Sequence, residues 1–345
     1  MSAIDLGHEQ PAILLTNHLK LDPSGAIEDH ILKGGLTSPD RAQVHKSAGY
    51  GGPVKMISVI IPVYNAGNYL ASSLQSLMEQ DYPAEKYEVI LIDNNSTDGS
   101  LEIAGRFSRV RLLKESKQGA YAARNTGVAA ASGDIIAFTD PDCVCGRRWL
   151  FSIDEALSKP STGIVLGSWQ PAHAGRLLRL LTSYENCKSE YVFASDRRVL
   201  YFGYTNNMAV RREMLERHGP FVERRRGADT IFVRRVVEAE GHGVVTHCPD
   251  MIVRHLELNG ILTYCRKMFI YGRSRSLYRH IISAASLSVP ERMKVYARAV
   301  RRNGGGLDAI LLLGVLGVGL LSWMAGHLSA AGPRSAETAP RGQHT

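Results

Sequence analysis

Residues 57–65 read Ile57-Ser58-Val59-Ile60-Ile61-Pro62-Val63-Tyr64-Asn65, and this stretch decides the fold class. Its run of β-branched residues shows no polar alternation, which predicts a strand buried on both faces. Pro62 stands at its end, where a ladder can spare a donor. Asn68 is placed to cap a helix that carries Leu70, Leu74, Leu77 and Met78 on one face. A second buried strand reads at residues 87–93, a short strand at 110–114 and a fourth strand at 134–139, and an Ala-rich helical segment covers 119–131. Strands alternating with helices at this spacing predict an α/β fold with a doubly wound, mostly parallel sheet.

Such sheets bind ligands outside the carboxyl ends of their strands. That rule selects Pro62 to Asn65, Asp93 to Asp98, Lys117 with Gly119, and Asp140 to Asp142. Asp140-Pro141-Asp142 places two carboxylates at a strand end, where both can reach one hard cation. Mg²⁺ or Mn²⁺ prefers carboxylates together with phosphate oxygens. Asp-Pro-Asp is also ordinary turn chemistry, so its position carries the argument. Asp93, after the second strand, can bond a ribose hydroxyl or a base edge. Gly119 opens a helix whose free N–H groups suit a phosphate, and Arg124 would add a fixed cation. No G-x-G-x-x-G follows the first strand, which argues against a nicotinamide dehydrogenase. The same turn lacks the cation that nucleotidyl transfer would favour.

After Trp149 the pattern loosens. Residues 163–169 and 206–211 read as strands, 175–193 and 229–239 as helices, and 244–255 as one or two strands. Two basic amphipathic stretches follow at 261–285 and 290–302. In the first, Arg266, Lys267, Arg273, Arg275 and Arg279 are interleaved with Tyr264, Phe269, Tyr271 and Tyr278. Cations with aromatics on a helix read as an interfacial membrane anchor. From Ala309 to Gly326 there is no charge, about 27 Å of helix, close to a bilayer's hydrocarbon thickness. Residues 307–328 are therefore expected to be a transmembrane helix, and Arg301 and Arg302 place its N-terminal side in the cytoplasm. The formal charge of +8 fits phosphate ligands, anionic lipid or nucleic acid. The position of the basic helices favours membrane lipids over nucleic acid. The five cysteines are irregularly spaced and read as reduced thiols.

The motifs together resemble the family 2 glycosyltransferases of the GT-A fold. Ile57 to Asn65 resembles their opening strand, and Asp93-Asn94-Asn95-Ser96-Thr97-Asp98-Gly99-Ser100 their second nucleotide loop. Gly119 with Ala123-Arg124-Asn125-Thr126-Gly127 resembles the next motif, and Asp140-Pro141-Asp142 stands where the family carries its Asp-x-Asp metal motif. The match is close over 57–149 and looser to about 257. The resemblance implies that Pro62, Tyr64 and Asn65 cradle the base of a nucleotide-diphospho-sugar, with Asp93 and Asn95 beside them. It implies that Asp140 contacts ribose and phosphate, and that Asp142, Asp140 and His255 hold Mn²⁺ or Mg²⁺. The family often has Glu-Asp before an amphipathic helix, with the Asp as general base. Here Ala228-Asp229 keeps the Asp alone. An inverting transfer needs a carboxylate on the acceptor side, and Asp229 is the candidate. Its plainer role is a helix cap. Arg224, Arg225 and Arg226 could meet a phosphate-bearing acceptor such as a lipid-linked glycan.

The expected organisation is a poorly structured extension (1–55) and a GT-A domain (56–257), divided into a nucleotide half (56–149) and an acceptor half (150–257). Basic helices (258–305), the apolar helix (307–328) and a flexible tail (329–345) complete it. No secretory signal opens the sequence, since the first apolar patch, at Ile13, is too short. The function implied is inverting, metal-dependent sugar transfer to a glycan or lipid-linked acceptor at the cytoplasmic face of a membrane. The alternative is a non-catalytic nucleotide-sugar-binding or scaffold protein. A processive synthase is disfavoured, because the family's Gln-x-x-Arg-Trp motif is absent.

Overall fold

The structure is a computed structural model that describes residues 54–173, 175–224, 226–278 and 286–330. The expected N-terminal extension and the tail lie almost wholly outside the described residues, as does the end of the first basic stretch, 279–285.

The first half of the chain forms β1 (Ile57–Val63), α1 (Gly67–Met78), β2 (Tyr87–Asp93), α2 (Ser100–Gly105), β3 (Val110–Lys114), α3 (Ala120–Ala130) and β4 (Ile135–Thr139). Then come β5 (Cys143–Cys145), α4 (Trp149–Ala156), β6 (Ile164–Pro171), α5 (Arg176–Phe193), β7 (Asn207–Arg211), α6 (Arg212–His218), α7 (Ala228–Glu240) and β8 (Val245–His255). Three further helices follow: α8 (Ile261–Tyr278), α9 (Val289–Arg302) and α10 (Leu307–Ser329).

One sheet has the order β3-β2-β1-β4-β7-β6-β8-β5. The strands β3, β2, β1 and β4 are mutually parallel, as their alternation with helices predicts. The direction reverses at β7, which runs antiparallel to both β4 and β6. β6 is parallel to β8, and the short β5 is antiparallel to β8. A buried strand has the same composition in either direction, so this reversal is not readable from side chains alone.

All seven residues of β1 are buried. Ile57, Val59 and Ile61 enter one core with Leu70, Leu74 and Leu77 of α1, and Ile60 enters the other with Ala123 of α3. The two-residue period of a strand thus feeds helices on both faces. Helix α3 rides close on the sheet: a Cβ added at Gly127 would lie 2.7 Å from the side chains of Ile60 and Ile92. Helix α1 begins at Gly67, so Asn68 is not its cap. The cap arrives from another loop, where Asp98 accepts the Gly67 N–H at 2.9 Å through one oxygen and the Ser100 N–H at 3.0 Å through the other.

Asn207 joins the two halves. Its amide donates to the carbonyls of Ser168 and Met251, both at 2.9 Å, and its oxygen accepts the Trp149 indole N–H at 2.8 Å. It fills a register irregularity between Gly167 and Ser168, where a Cβ on Gly167 would sit 2.1 Å from the Met251 carbonyl. Asn207→Ala leaves two carbonyls and an indole N–H without partners in a dry site. We predict a loss of at least about 3 kcal/mol of stability, at ~1 kcal/mol or more for each of the three stranded groups, read by chemical denaturation.

Candidate functional site

The first side of the site is a cluster of loops above β1, β2 and β3, knitted by short amides. Asn65 takes a left-handed φ of 49°, a conformation Asn tolerates better than most residues. Its side-chain oxygen accepts the Thr97 N–H at 2.8 Å, and its own N–H donates to the Ser96 hydroxyl at 3.2 Å. Asp93 is buried and accepts the Ser96 N–H at 3.1 Å. Asn95, at φ 67°, donates to the Ser116 carbonyl at 2.9 Å. Asn94 is the buried strut: it donates to the carbonyls of Glu115 and Lys117 and accepts the Gly119 N–H at 2.7 Å. Gly119 has φ 150°, which a side chain would strain. Tyr64 projects from this edge, 55% exposed, as a free aromatic face. Pro62, expected to touch the base, is buried inside β1 opposite Ile92.

The second side holds the acids. β5 pairs with β8 so that Cys143 faces His255, and the Leu256 N–H donates to the Asp142 carbonyl at 2.8 Å. This pairing brings His255 Nδ1 to 3.1 Å from the Asp142 carboxylate. Ligand atoms of Asp142, Cys143 and His255 all lie within 4.8 Å of one another. Burial, and then the neighbouring Asp140 charge, pushes the Asp142 carboxyl up to about 7. His255 is held down at about 4, by burial first and then by the Lys267 ammonium. Lys267 donates to His255 Nε2 at 3.0 Å and is shared with Glu257, also at 3.0 Å. His255 Nδ1 is buried and lacks an aligned hydrogen-bond partner. With Lys267 on Nε2, the neutral imidazole carries its proton on Nδ1, facing Asp142; in the other tautomer that nitrogen, with the Asp142 carboxylate, would suit a hard divalent cation. The thiol of Cys143 is pushed far up by burial, so it stays protonated and adds no thiolate.

Asp140 acts on this cluster through its charge and is itself paired elsewhere. It accepts from Arg124 at 2.5 Å. Arg124, expected to add a fixed cation for phosphate, is almost fully buried, a turn inside α3, beside the Tyr121 ring at 5.1 Å. Its charge also acts on Asp229. Asp229 lies in the first turn of α7, which starts one residue before the expected position, so Asp229 is inside the helix and Gly227 precedes it at φ 80°. Its carboxylate accepts the Thr230 N–H at 2.8 Å and faces the Thr205 N–H at 3.4 Å and the Tyr121 hydroxyl. Burial pushes its carboxyl above the ordinary range, against the Thr230 N–H and the Arg124 charge. Asp140, Arg124, Tyr121 and Asp229 therefore form one connected network, buried at Arg124 and Tyr121 and partly exposed at the two acids. Ala228, where the family carries Glu, is fully buried. Arg225 lies outside the described residues, and Arg226 sits over the Tyr271 ring at 5.8 Å.

Sequence reading missed Lys267, which its helix made a surface cation, and Tyr121 and Asn94, which carried no role of their own. Lys267 has a faint signal: it is a Lys one turn into a helix that starts soon after a candidate ligand.

Comparison with known proteins follows this geometry. The profile of Glycosyl transferase family 2 matches residues 58–219. The chain is 35% identical over 207 residues to glycosyltransferase AglE of Haloferax volcanii, covering 58% of this chain and 66% of that protein. It is 33% identical over 120 residues to glycosyltransferase GlyG of Streptococcus pneumoniae, covering 33% and 39%. The chain thus spans between 39% and 66% of the length of these two relatives. Among solved structures, a mannosyltransferase, PcManGT from Pyrobaculum calidifontis, in complex with GDP-Man and Mn²⁺, superposes with a TM-score of 0.55 at 20% identity. The overlap covers 81% of this chain and 87% of that one, and it carries the fold.

Proposed function

We propose, for a chain that belongs to the family 2 glycosyltransferases and carries their GT-A fold, that it moves a sugar from a nucleotide diphosphate to a hydroxyl of a glycan or lipid-linked acceptor, with inversion. The observation that carries this reading is the meeting of two acid sites at one sheet edge. Asp142 with His255 lies on one side, and Asp229 is linked to it through Arg124 and Asp140.

In this reading Tyr64 offers a stacking face to the base, and Asp93 and the Asn65 and Asn95 loops shape the ribose pocket. Gly119 at the head of α3 supplies N–H groups to phosphate. Asp142 and His255 would hold Mn²⁺ or Mg²⁺, with the Asp140 charge nearby, and Lys267, already shared with Glu257, would then pair with that carboxylate alone. A divalent cation there would neutralise charge on the departing diphosphate. Arg124 positions Asp140 rather than meeting phosphate itself. Asp229 takes the proton of the acceptor hydroxyl as that oxygen bonds to the anomeric carbon and the bond to the diphosphate breaks on the opposite face. Its raised affinity for a proton makes it a better base than an exposed carboxylate. The five free cysteines suit a domain facing the reducing cytoplasm.

Thermal shifts with UDP, GDP, dTDP and CDP, each with and without Mn²⁺, test this. A cation-dependent shift with one nucleotide is expected. A folded protein that responds to none would leave the scaffold reading, which the buried Ala228 favours.

A further inference from the structure

Helix α10 is long and apolar enough to cross a membrane by length and composition, and it is also packed along its length against the rest of the protein. Its first turn is tied to the sugar-transfer domain: Asp308 pairs with Arg176 of α5 at 2.6 Å, and the Ala309 carbonyl accepts from Tyr296 of α9 at 2.7 Å. Leu312 is buried in the same core as the sheet. The rest of α10 lies against α8 with the backbones touching. A Cβ on Gly326 would fall 1.9 Å from the Phe269 carbonyl, and one on Gly272 would fall 1.9 Å from the Trp323 carbonyl. Tyr264 fills the space over Gly319. Contact therefore runs from Asp308 to Gly326, about 27 Å of helix.

If α10 stood across the bilayer, α8 would enter with it, carrying Arg266, Lys267, Arg273 and Arg275. Each such charge is strongly disfavoured at a helix centre in the bilayer. Lys267 is also held at the acid site by His255 and Glu257. The outer face of α10 is nevertheless open and uniformly apolar, with Ile310, Leu313, Leu320, Leu321 and Leu328 each more than half exposed. No charged or hydrogen-bonding side chain lies on these positions to set a register with a protein partner. The helix beside it presents exposed Arg266 and Arg273, with Leu262 and Phe269 among them. An uncharged stripe flanked by arginines is complementary to acyl chains under anionic headgroups.

We propose that α10 lies in the plane of an anionic leaflet, its outer face in the acyl boundary, and does not span the membrane. The site above α8 is thereby held at the headgroup level, where a lipid-phosphate-linked acceptor would present its sugar. The inference rests on the packing of α8 and α10, not on the transfer chemistry.

The test uses the full chain with a C-terminal epitope tag. Inverted membrane vesicles and intact spheroplasts are treated with protease, and the purified protein is floated with vesicles of phosphatidylcholine alone or with about 30% phosphatidylglycerol. We expect the tag to be cut only in inverted vesicles, on the same side as the transfer domain. We expect flotation to need phosphatidylglycerol and to fall at least about tenfold in Leu321→Arg, an exposed site whose change leaves the melting temperature in place. A tag cut in spheroplasts would show a spanning helix and overturn the proposal. So would failure to float with either lipid together with a dimer by light scattering, which would assign the face to a second copy. Both readouts are independent of nucleotide binding, so they separate this proposal from the transferase reading.

Discussion

Asp142→Asn is expected to abolish the cation-dependent part of nucleotide binding and to lower turnover on the order of 10³-fold, the scale for losing a main electrostatic stabiliser of a leaving group. The amide has nearly the same shape and keeps an oxygen for its neighbours, so the change is one of charge. Calorimetry of nucleotide binding with and without Mn²⁺ separates this from a loss of donor recognition: the variant should bind nucleotide equally weakly in both. Stability should move the other way. The folded carboxyl sits at about 7, above its ordinary 3.8. The fold therefore disfavours the ionised form, and replacing it by an amide relieves that cost. The sign is fixed by the direction of the shift. Below the ordinary value both states are protonated and the variant gains nothing. Its advantage grows as pH rises to about 7 and is constant above. A variant that loses activity and melts lower at pH 8 would make Asp142 a structural residue and sink the metal assignment.

Asp229→Asn is expected to leave cation-dependent nucleotide binding within about twofold and to reduce kcat by about 10²–10⁴-fold, the range for a general base. The amide oxygen can still accept from Thr230 and Tyr121, so α7 keeps its start. The separation between kcat and donor affinity is the diagnostic. Asp229 also belongs to the network that runs through Arg124 to Asp140. If the variant lost nucleotide binding in parallel with turnover, its role would be to position Asp140, and the base would have to be sought elsewhere. Tyr121→Phe provides the graded control: it removes one bond to Asp229 and keeps the ring against Phe221. A smaller fall in kcat, about tenfold, is expected there.

The acid site also shows how local and distant information divide. Asp142 was legible because its strand ended in paired acids. His255 was legible only through the family resemblance. What places it 3.1 Å from Asp142 is the three-residue strand β5, too short to leave a period in the sequence. Arg124 reads as a fixed phosphate cation because its motif opens a helix. Burial under the sheet edge turned it into the partner of Asp140. Lys267 was read as a solvated or lipid-facing charge, since a helix face says nothing about which neighbour it meets.

By itself the sequence determined the alternation of β1 to β4 with their helices, the sheet edge where the candidate site residues gather, and an apolar C-terminal helix beside basic ones. These follow from local patterns: β-branched runs, turn residues and periodic charge, each written within a few adjacent positions. Tertiary structure alone decided the reversal at β7, the pairing that delivers His255, the network joining Asp140 to Asp229 through Arg124, and the docking of α10 along α8. Those depend on contacts between residues far apart in the chain, where packing and desolvation, not local preference, set which side chain faces which.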